Sequence, residues 1–321
     1  MENPHGSNAA VDILLATYHG AAFLDAQLES IANQTFQGWQ ITARDDGSHD
    51  DTVSILARWQ ARLGGRLTIV SDSRSNLGAA QNFATLLRVS SRPYVAFCDQ
   101  DDVWFPTKLD DSLRLIRSLE TIHGRHTPLL VHSDLEVVDQ DLTTVASSFW
   151  AHQFVNPQND TELRRLLVQN VVTGCTTLIN RSLADLVSPI PCGVIMHDWW
   201  IALVGAAFGN VAHLDHATVR YRQHTGNDTG AKHWGPTYVA GQLTQVLRPT
   251  SKAADSLRAT QTQAACLLEA FGDRLTAQQR ELVSDYASLS QRTPLQRRVS
   301  LVQHGIFKTG AARNIGLFLS I

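Results

Sequence analysis

Three of the four residues in Asp99-Gln100-Asp101-Asp102 are carboxylates, and they follow directly on the apolar run Tyr94-Val95-Ala96-Phe97-Cys98. Like charges this close repel unless a cation or a proton intervenes. A hard divalent cation suits them, because Mg²⁺ takes one or two carboxylates and completes its shell with water and substrate phosphates. A strand would fix Asp99 at its end, and the turn after it would aim Asp101 into a cleft. The plainer use is capping: one of the three, Asp102 first, would serve the helix expected to open at Pro106.

Other stretches hold chemistry-bearing residues. In Asp45-Asp46-Gly47-Ser48 a carboxylate at a strand end can accept hydrogen bonds from a base or a ribose hydroxyl. The same residue types also build turns and caps, and the local sequence leaves both readings level. Asn76-Leu77-Gly78 puts a glycine where a ligand can approach the backbone, although an ordinary loop is the commoner meaning. His197-Asp198-Trp199-Trp200 sets one acid beside two indoles. That combination offers a general base next to an apolar face for a sugar ring; the plainer reading is a capping Asp before two core tryptophans. In Tyr221-Arg222-Gln223-His224 the histidine can serve as a further metal ligand or phosphate contact, and Arg222 can pair with an anion. A lone stretch of this kind is usually structural.

Such groups need a scaffold. The first third of the chain alternates apolar runs at 11–18, 39–46, 66–72 and 93–99 with helical periodicity at 21–33, from 52, at 79–89 and after Pro106. Buried strands alternating with helices predict an α/β fold with a mostly parallel central sheet and flanking helices. In such sheets ligands bind outside the carboxyl ends of the strands, where Thr17-Tyr18, Asp45-Asp46, Asp72 and Asp99–Asp102 all fall. Further on, 128–139 reads as strand, turn, strand, 160–169 as helix, 173–180 as a short strand, Asp198–Phe208 as helix and 210–224 as paired strands. From about 238 the pattern is helical. The expected division is a flexible 1–10, a domain over 11–237 split near 103–104 into nucleotide-binding and acceptor halves, and a helical region over 238–321.

The totals exclude some classes. Of 321 residues 43% are hydrophobic, which supports a substantial core, and a net charge of −3 gives no global argument for nucleic acid. The four cysteines lack metal-type spacing and read as reduced thiols of a cytoplasmic protein. The first residues lack a secretory pattern, and no apolar run approaches the ~20 residues of a spanning helix. Residues 286–321 carry Arg292, Arg297, Arg298, Lys308 and Arg313 with no acid, interleaved with apolar residues. The segment suits either a peripheral contact with the inner face of a membrane or a helix packed on the domain.

Taken in order, ATYHG (16–20), RDDGS (44–48), NLG (76–78), FCDQDDVW (97–104), VVTGCT (171–176), MHDWW (196–200) and YRQH (221–224) resemble family 2 glycosyltransferases of the GT-A fold, in particular the rhamnosyltransferase-like group. The resemblance runs from residue 11 to about 227. It implies that Thr17, Tyr18, Asp45, Asp46, Asn76 and Gly78 line the nucleotide pocket. It implies that Asp99 meets the ribose or sugar and that Asp101, with His224, holds Mg²⁺ or Mn²⁺. Asp198 becomes the general base, with His197 where many members have Glu, and Trp104, Trp199 or Trp200 would hold the acceptor. Two departures, His19 where Asn is usual and His49 where Thr is usual, remove no charged catalytic group. The implied activity is inverting, metal-dependent transfer of a sugar, L-rhamnose from dTDP-L-rhamnose, to a hydroxyl of a growing glycan or glycolipid of a cell-surface polysaccharide. Another UDP- or GDP-sugar donor and a non-catalytic nucleotide-sugar-binding scaffold are the alternatives. A dehalogenase-type phosphatase fits poorly, because Asp102-Val103 stands where that chemistry usually has Gly-Thr.

Overall fold

The computed structural model describes residues 10–224 and 251–321. The expected domain boundary at 237–238 lies outside the described residues, as do residues 1–9. The first half runs β1 (Val11–Thr17), α1 (Leu24–Ala32), β2 (Trp39–Asp45), α2 (Thr52–Leu63), β3 (Leu67–Ile69), α3 (Ala79–Val89) and β4 (Tyr94–Cys98). β1 and β4 are buried on both faces, and period-two alternation divides their side chains between two cores. Leu14, Val95 and Phe97 enter one core, while Ile13, Leu15, Ala96 and Cys98 enter the other. Double burial explains why these strands read as unbroken apolar runs.

Next come β5 (Val103–Trp104), α4 (Lys108–His123), β6 (Leu129–Val138), β7 (Thr144–Ala146), α5 (Phe149–Gln153), two single turns α6 (Pro157–Asp160) and α7 (Leu163–Leu166), β8 (Leu178–Asn180), α8 (Arg181–Val187), α9 (His197–Phe208) and β9 (Asn210–Arg222). The strands order as β3-β2-β1-β4-β8-β6-β9-β5, with β7 paired to β6. Only the β3-β2-β1-β4 part is a wholly parallel run; β8 is antiparallel to β4 and β6, and β5 to β9. The sheet is therefore mixed, which corrects the mostly parallel expectation.

Two expected hairpins are single long strands. Residues 129–138 form one strand because the polar pair Ser133-Asp134 is satisfied sideways rather than by a turn. Ser133 Oγ meets Thr218 Oγ1 at 2.6 Å, and Asp134 accepts from the Trp150 N–H at 3.0 Å. β9 continues through residues 210–222, its register against β6 shifting beside Asp134. The helix expected over 160–169 shrinks to the four residues of α7.

The last elements are α10 (Ser251–Phe271), α11 (Ala277–Ala287), α12 (Pro294–Gln303) and α13 (Ala311–Ser320). They share a core with the sheet: Leu267, Phe271, Val283, Tyr286, Leu301, Ile306, Leu317 and Ile321 are buried in one cluster with Trp200, Leu203 and Val204. Much of the tail's apolar content is thus core. Leu295, Val299, Val302, Ile315 and Leu319 remain exposed. Among the described residues no helix is long and apolar enough to cross a membrane.

Candidate active site

The carboxyl ends of β1, β2 and β4 meet the start of α3 and the start of α9 around a cleft of about 410 Å³. Thr17, Tyr18, Asp46, Asn76, Gly78, Asp99, Asp101 and Asp198 all line it, so eight residues scattered over the sequence converge on one wall system. Gln100, Asn82, Phe83, Thr173, Gly174, Met196 and His197 line it as well.

The wall at the carboxyl end of β2 is built by satisfied carboxylates. Asp46 is 3% exposed; its Oδ1 accepts from Arg44 at 2.9 Å and its Oδ2 from the Gly78 N–H at 2.9 Å. Its carbonyl accepts from the Asn76 N–H at 2.8 Å. One acid therefore holds the 76–78 loop against the end of β2, where Asn76 and Gly78 adopt positive φ of 55° and 77°. Arg44, buried inside β2, also reaches Asp72, Asn82 and the Arg74 carbonyl. Hydrogen bonds from Arg44 and Arg74 hold the Asp72 carboxyl well below the usual carboxylate range. Arg44 was legible only as a charge inside a strand-like run, and sequence reasoning passed over it.

Asp45 corrects an expectation. It does not line the cleft: Oδ2 accepts from the N–H groups of Gly47 and Ser48 at 3.0 and 2.7 Å, and Oδ1 from Ser48 Oγ and Thr17 Oγ1 at 2.6 and 2.9 Å. Its oxygens are spent on the turn and on Thr17. Of the adjacent pair, the second acid lines the cleft and the first folds the loop.

The Asp99–Asp102 cluster divides in the same way. Asp99 and Asp101 face the cleft. Gln100 turns back to β1, its amide accepting from the Tyr18 N–H and donating to the Tyr18 carbonyl, both at 2.8 Å. Asp102 is fully buried and accepts from the Arg222 N–H at 3.1 Å. Burial, and then the charges of Asp101 and Asp99, push its carboxyl well above the usual range. Asp99, Asp102 and Cys175 bring ligand atoms within 4.8 Å of one another. That set does not suit a hard cation, because burial pushes both Asp102 and Cys175 toward their neutral forms and a thiol is a soft donor. Asp99 and Asp101 both line the cleft, and His224 Nε2 stands 2.8 Å from Asp101 Oδ2; carboxylate and imidazole donors are of the kind a divalent cation takes.

The opposite wall is built at the start of α9. Asp198 opens α9, and its carboxylate accepts from the N–H groups of Gly174 at 3.0 Å and Trp199 at 2.6 Å. Burial pushes its pKa up to about 6. A carboxylate so tuned is ionised at neutral pH yet basic enough to take a proton. His197 is buried between Phe83 and Phe97, with ring centroids 4.0 and 5.1 Å away. Burial alone pulls its imidazole down to about 3, which keeps it neutral.

The three tryptophans expected to hold an acceptor do not line this cleft. Trp104 is 3% exposed, with the buried Lys108 ammonium 4.7 Å from its ring centre. Trp200 is 1% exposed in the core. Trp199 is half-buried and donates its indole N–H to the Leu166 carbonyl at 2.5 Å. Their apolar faces are used in packing.

Comparison with known proteins follows the same lines. Residues 12–127 match the family model described as glycosyl transferase family 2. A dTDP-rhamnosyl transferase, RfbG of Shigella flexneri, is 24% identical over 228 residues, covering 68% of this chain and 74% of that protein. The UDP-Glc:alpha-D-GlcNAc-diphosphoundecaprenol beta-1,3-glucosyltransferase WfgD of Escherichia coli is 25% identical over 171 residues, covering 53% of this chain and 59% of the relative. The chain thus spans between about half and three quarters of these relatives' lengths. Among solved structures, S. aureus TarS in complex with UDP superposes with a TM-score of 0.54 at 14% identity, covering 92% of each chain. The mannosyltransferase PcManGT from Pyrobaculum calidifontis, in complex with GDP-Man and Mn2+, gives 0.55 at 14% identity, covering 92% of this chain and 75% of that one.

Proposed function

We propose, from the premise that this chain is a family 2 glycosyltransferase with the GT-A fold, that it is an inverting, metal-dependent transferase acting in cell-surface polysaccharide synthesis. The donor is dTDP-L-rhamnose, on the likeness to the Shigella protein, and the acceptor is a hydroxyl of a growing glycan or glycolipid. The observation that carries the chemistry is Asp198: a half-buried carboxylate with its pKa raised to about 6, in the same cleft as Asp99 and Asp101.

Thr17, Asp46, Asn76 and Gly78 receive the nucleoside, and the diphosphate lies toward Asp99 and Asp101. Asp101, with His224 hydrogen bonded to it, and Asp99 would hold a divalent cation, which when bound would supply charge neutralisation for the diphosphate leaving group. Asp198 accepts the proton of the acceptor hydroxyl as its oxygen bonds to the anomeric carbon. The bond from that carbon to the diphosphate oxygen breaks, and the nucleoside diphosphate leaves with the electron pair. A single displacement inverts the anomeric centre. The N–H groups of Gly174 and Trp199 orient the carboxylate so that its proton-accepting lone pair is fixed before substrate arrives. The exposed apolar residues of α12 and α13, in a segment with five bases and no acid, suit a peripheral contact with an anionic membrane bearing the acceptor.

The test is calorimetry and product analysis with dTDP-L-rhamnose, UDP-glucose and GDP-mannose, each with and without Mn²⁺, on the wild type and Asp101→Ala. Metal-dependent binding and transfer from dTDP-L-rhamnose, lost in the variant, is the expected result. Transfer from another sugar nucleotide replaces the donor, and transfer indifferent to metal and to Asp101 removes the metal from the mechanism.

A further inference from the structure

The Asp99–Asp102 loop is held from two sides. Toward β1, Gln100 clasps Tyr18. Toward β9, the loop meets Arg222, the last residue of that strand and only 4% exposed. The register of β9 against β6 fixes Arg222 opposite Val138, and the next N–H, that of Gln223, donates to the Val138 carbonyl at 2.9 Å.

Arg222 takes hold of the loop at two successive residues. Its Nε–H donates to the Asp101 carbonyl at 2.8 Å, and its own main-chain N–H donates to Asp102 Oδ1 at 3.1 Å. Nη1 donates to the Gln140 carbonyl, in the turn that follows β6. That turn is stiffened by Asp139, whose Oδ1 accepts from the N–H groups of Asp141 and Thr143 at 2.9 and 2.8 Å. One planar guanidinium thus ties the carboxylate loop to a second anchored segment, and its rigid fork sets the geometry between them. Its Cζ lies 4.6 Å from the centre of the Phe23 ring, and the His224 ring stands 4.7 Å from the same ring. Phe23 therefore backs both Arg222 and the imidazole that meets Asp101 Oδ2. Buried and committed to two carbonyls, the guanidinium acts on the site from behind rather than on a substrate anion.

We propose that Arg222 is a positioning residue, which holds the peptide at Asp101 so that the Asp101 carboxylate and His224 present their donor atoms to one divalent cation. This rests on the metal-dependent reading of the cleft. The carbonyl and the carboxylate of Asp101 hang on one stretch of backbone, and the peptide plane between residues 101 and 102 is rigid. A tilt of that plane carries the carboxylate with it. Groups that orient metal ligands in this way typically matter about 10- to 100-fold in metal affinity.

The experiment titrates Mn²⁺ by electron paramagnetic resonance, and metal-free dTDP, UDP and GDP by calorimetry, on the wild type, Arg222→Lys and Arg222→Met. Lysine keeps the charge and a stem over Phe23 but cannot span two carbonyls with a fixed fork. The expected result is Mn²⁺ affinity about 10- to 100-fold weaker in Arg222→Met, a smaller loss in Arg222→Lys, and metal-free diphosphate affinity unchanged in both. Wild-type Mn²⁺ affinity in either variant overturns the proposal. Equal loss of Mn²⁺ and metal-free diphosphate, or loss of cooperative melting in both variants, also overturns it, since Arg222 would then serve the fold as a whole. Wild type that binds no Mn²⁺, with or without a diphosphate, overturns the metal reading and this inference with it.

Discussion

The two walls of the cleft are made from similar residues in opposite states. On the Asp46 side, Asp45 accepts four hydrogen bonds, and a buried arginine is shared among Asp46, Asp72 and Asn82. On the Asp198 side, His197 has no partner among the described residues, and desolvation raises the Asp198 pKa to about 6. The first wall is cross-linked by its own charges. The second holds an imidazole without a partner and a carboxylate of raised pKa, which is where a protein stores capacity for chemistry. Function at such a site comes at the expense of local stability, so substitutions on the two sides should fail differently.

The sharpest break in the comparison is Asp198→Asn. Turnover should fall by about 10²- to 10⁴-fold, as expected for loss of a general base, while the melting temperature does not drop. A turnover loss under tenfold, measured at saturating donor and acceptor, would move the base elsewhere. On the other wall, Arg44→Met should cost about 3–5 kcal/mol of unfolding free energy in urea, because it strands the buried Asp46 carboxylate. If that variant unfolds at the wild-type midpoint, the network is not holding the wall.

The mildest probe is pH. With Asp198 near 6, kcat/KM should decline below that value, to about a tenth of its plateau one pH unit lower. The same group acts on stability with the opposite sign. Its folded pKa lies above the ordinary aspartate value of 3.8, so the folded state binds the extra proton. The contribution to stability therefore falls as pH rises from about 4 to 6. Activity and this part of the stability should move in contrary directions over one window, and a pH–rate profile with no acid limb would remove Asp198 from the proton transfer.

Much of this could be read from the chain. The strand ends carrying Thr17, Asp46, Asp99 and Asp101 stood out because doubly buried strands are unbroken apolar runs punctuated by polar residues. What failed were distinctions of direction. Asp45 and Asp46 are chemically identical neighbours, and only the turn decides which one faces ligand. Trp199 and Trp200 carry the same side chain as a sugar platform would, but pack inward because α9 is surrounded by the sheet and the C-terminal helices. Ser133-Asp134 and Asp215-His216 looked like turns because a bulged long strand interrupts its pattern with polar residues, as a hairpin does. Gly174 belonged to a stretch already singled out, but nothing local tells that its missing side chain makes room for a histidine 23 residues further on.

The Gln100 clasp on Tyr18 has a consequence for how sequences can change around this site. A Cβ added at Gly20 would stand 2.2 Å from the Gln100 side-chain oxygen. Positions 20 and 100, far apart in the chain, are therefore not independent letters. A larger residue at 20 must push the end of the Gln100 side chain aside, and a Gln100 so displaced no longer clasps Tyr18, which unlatches the loop carrying Asp99 and Asp101 from β1. A change at position 20 is thus felt at the carboxylates through position 100.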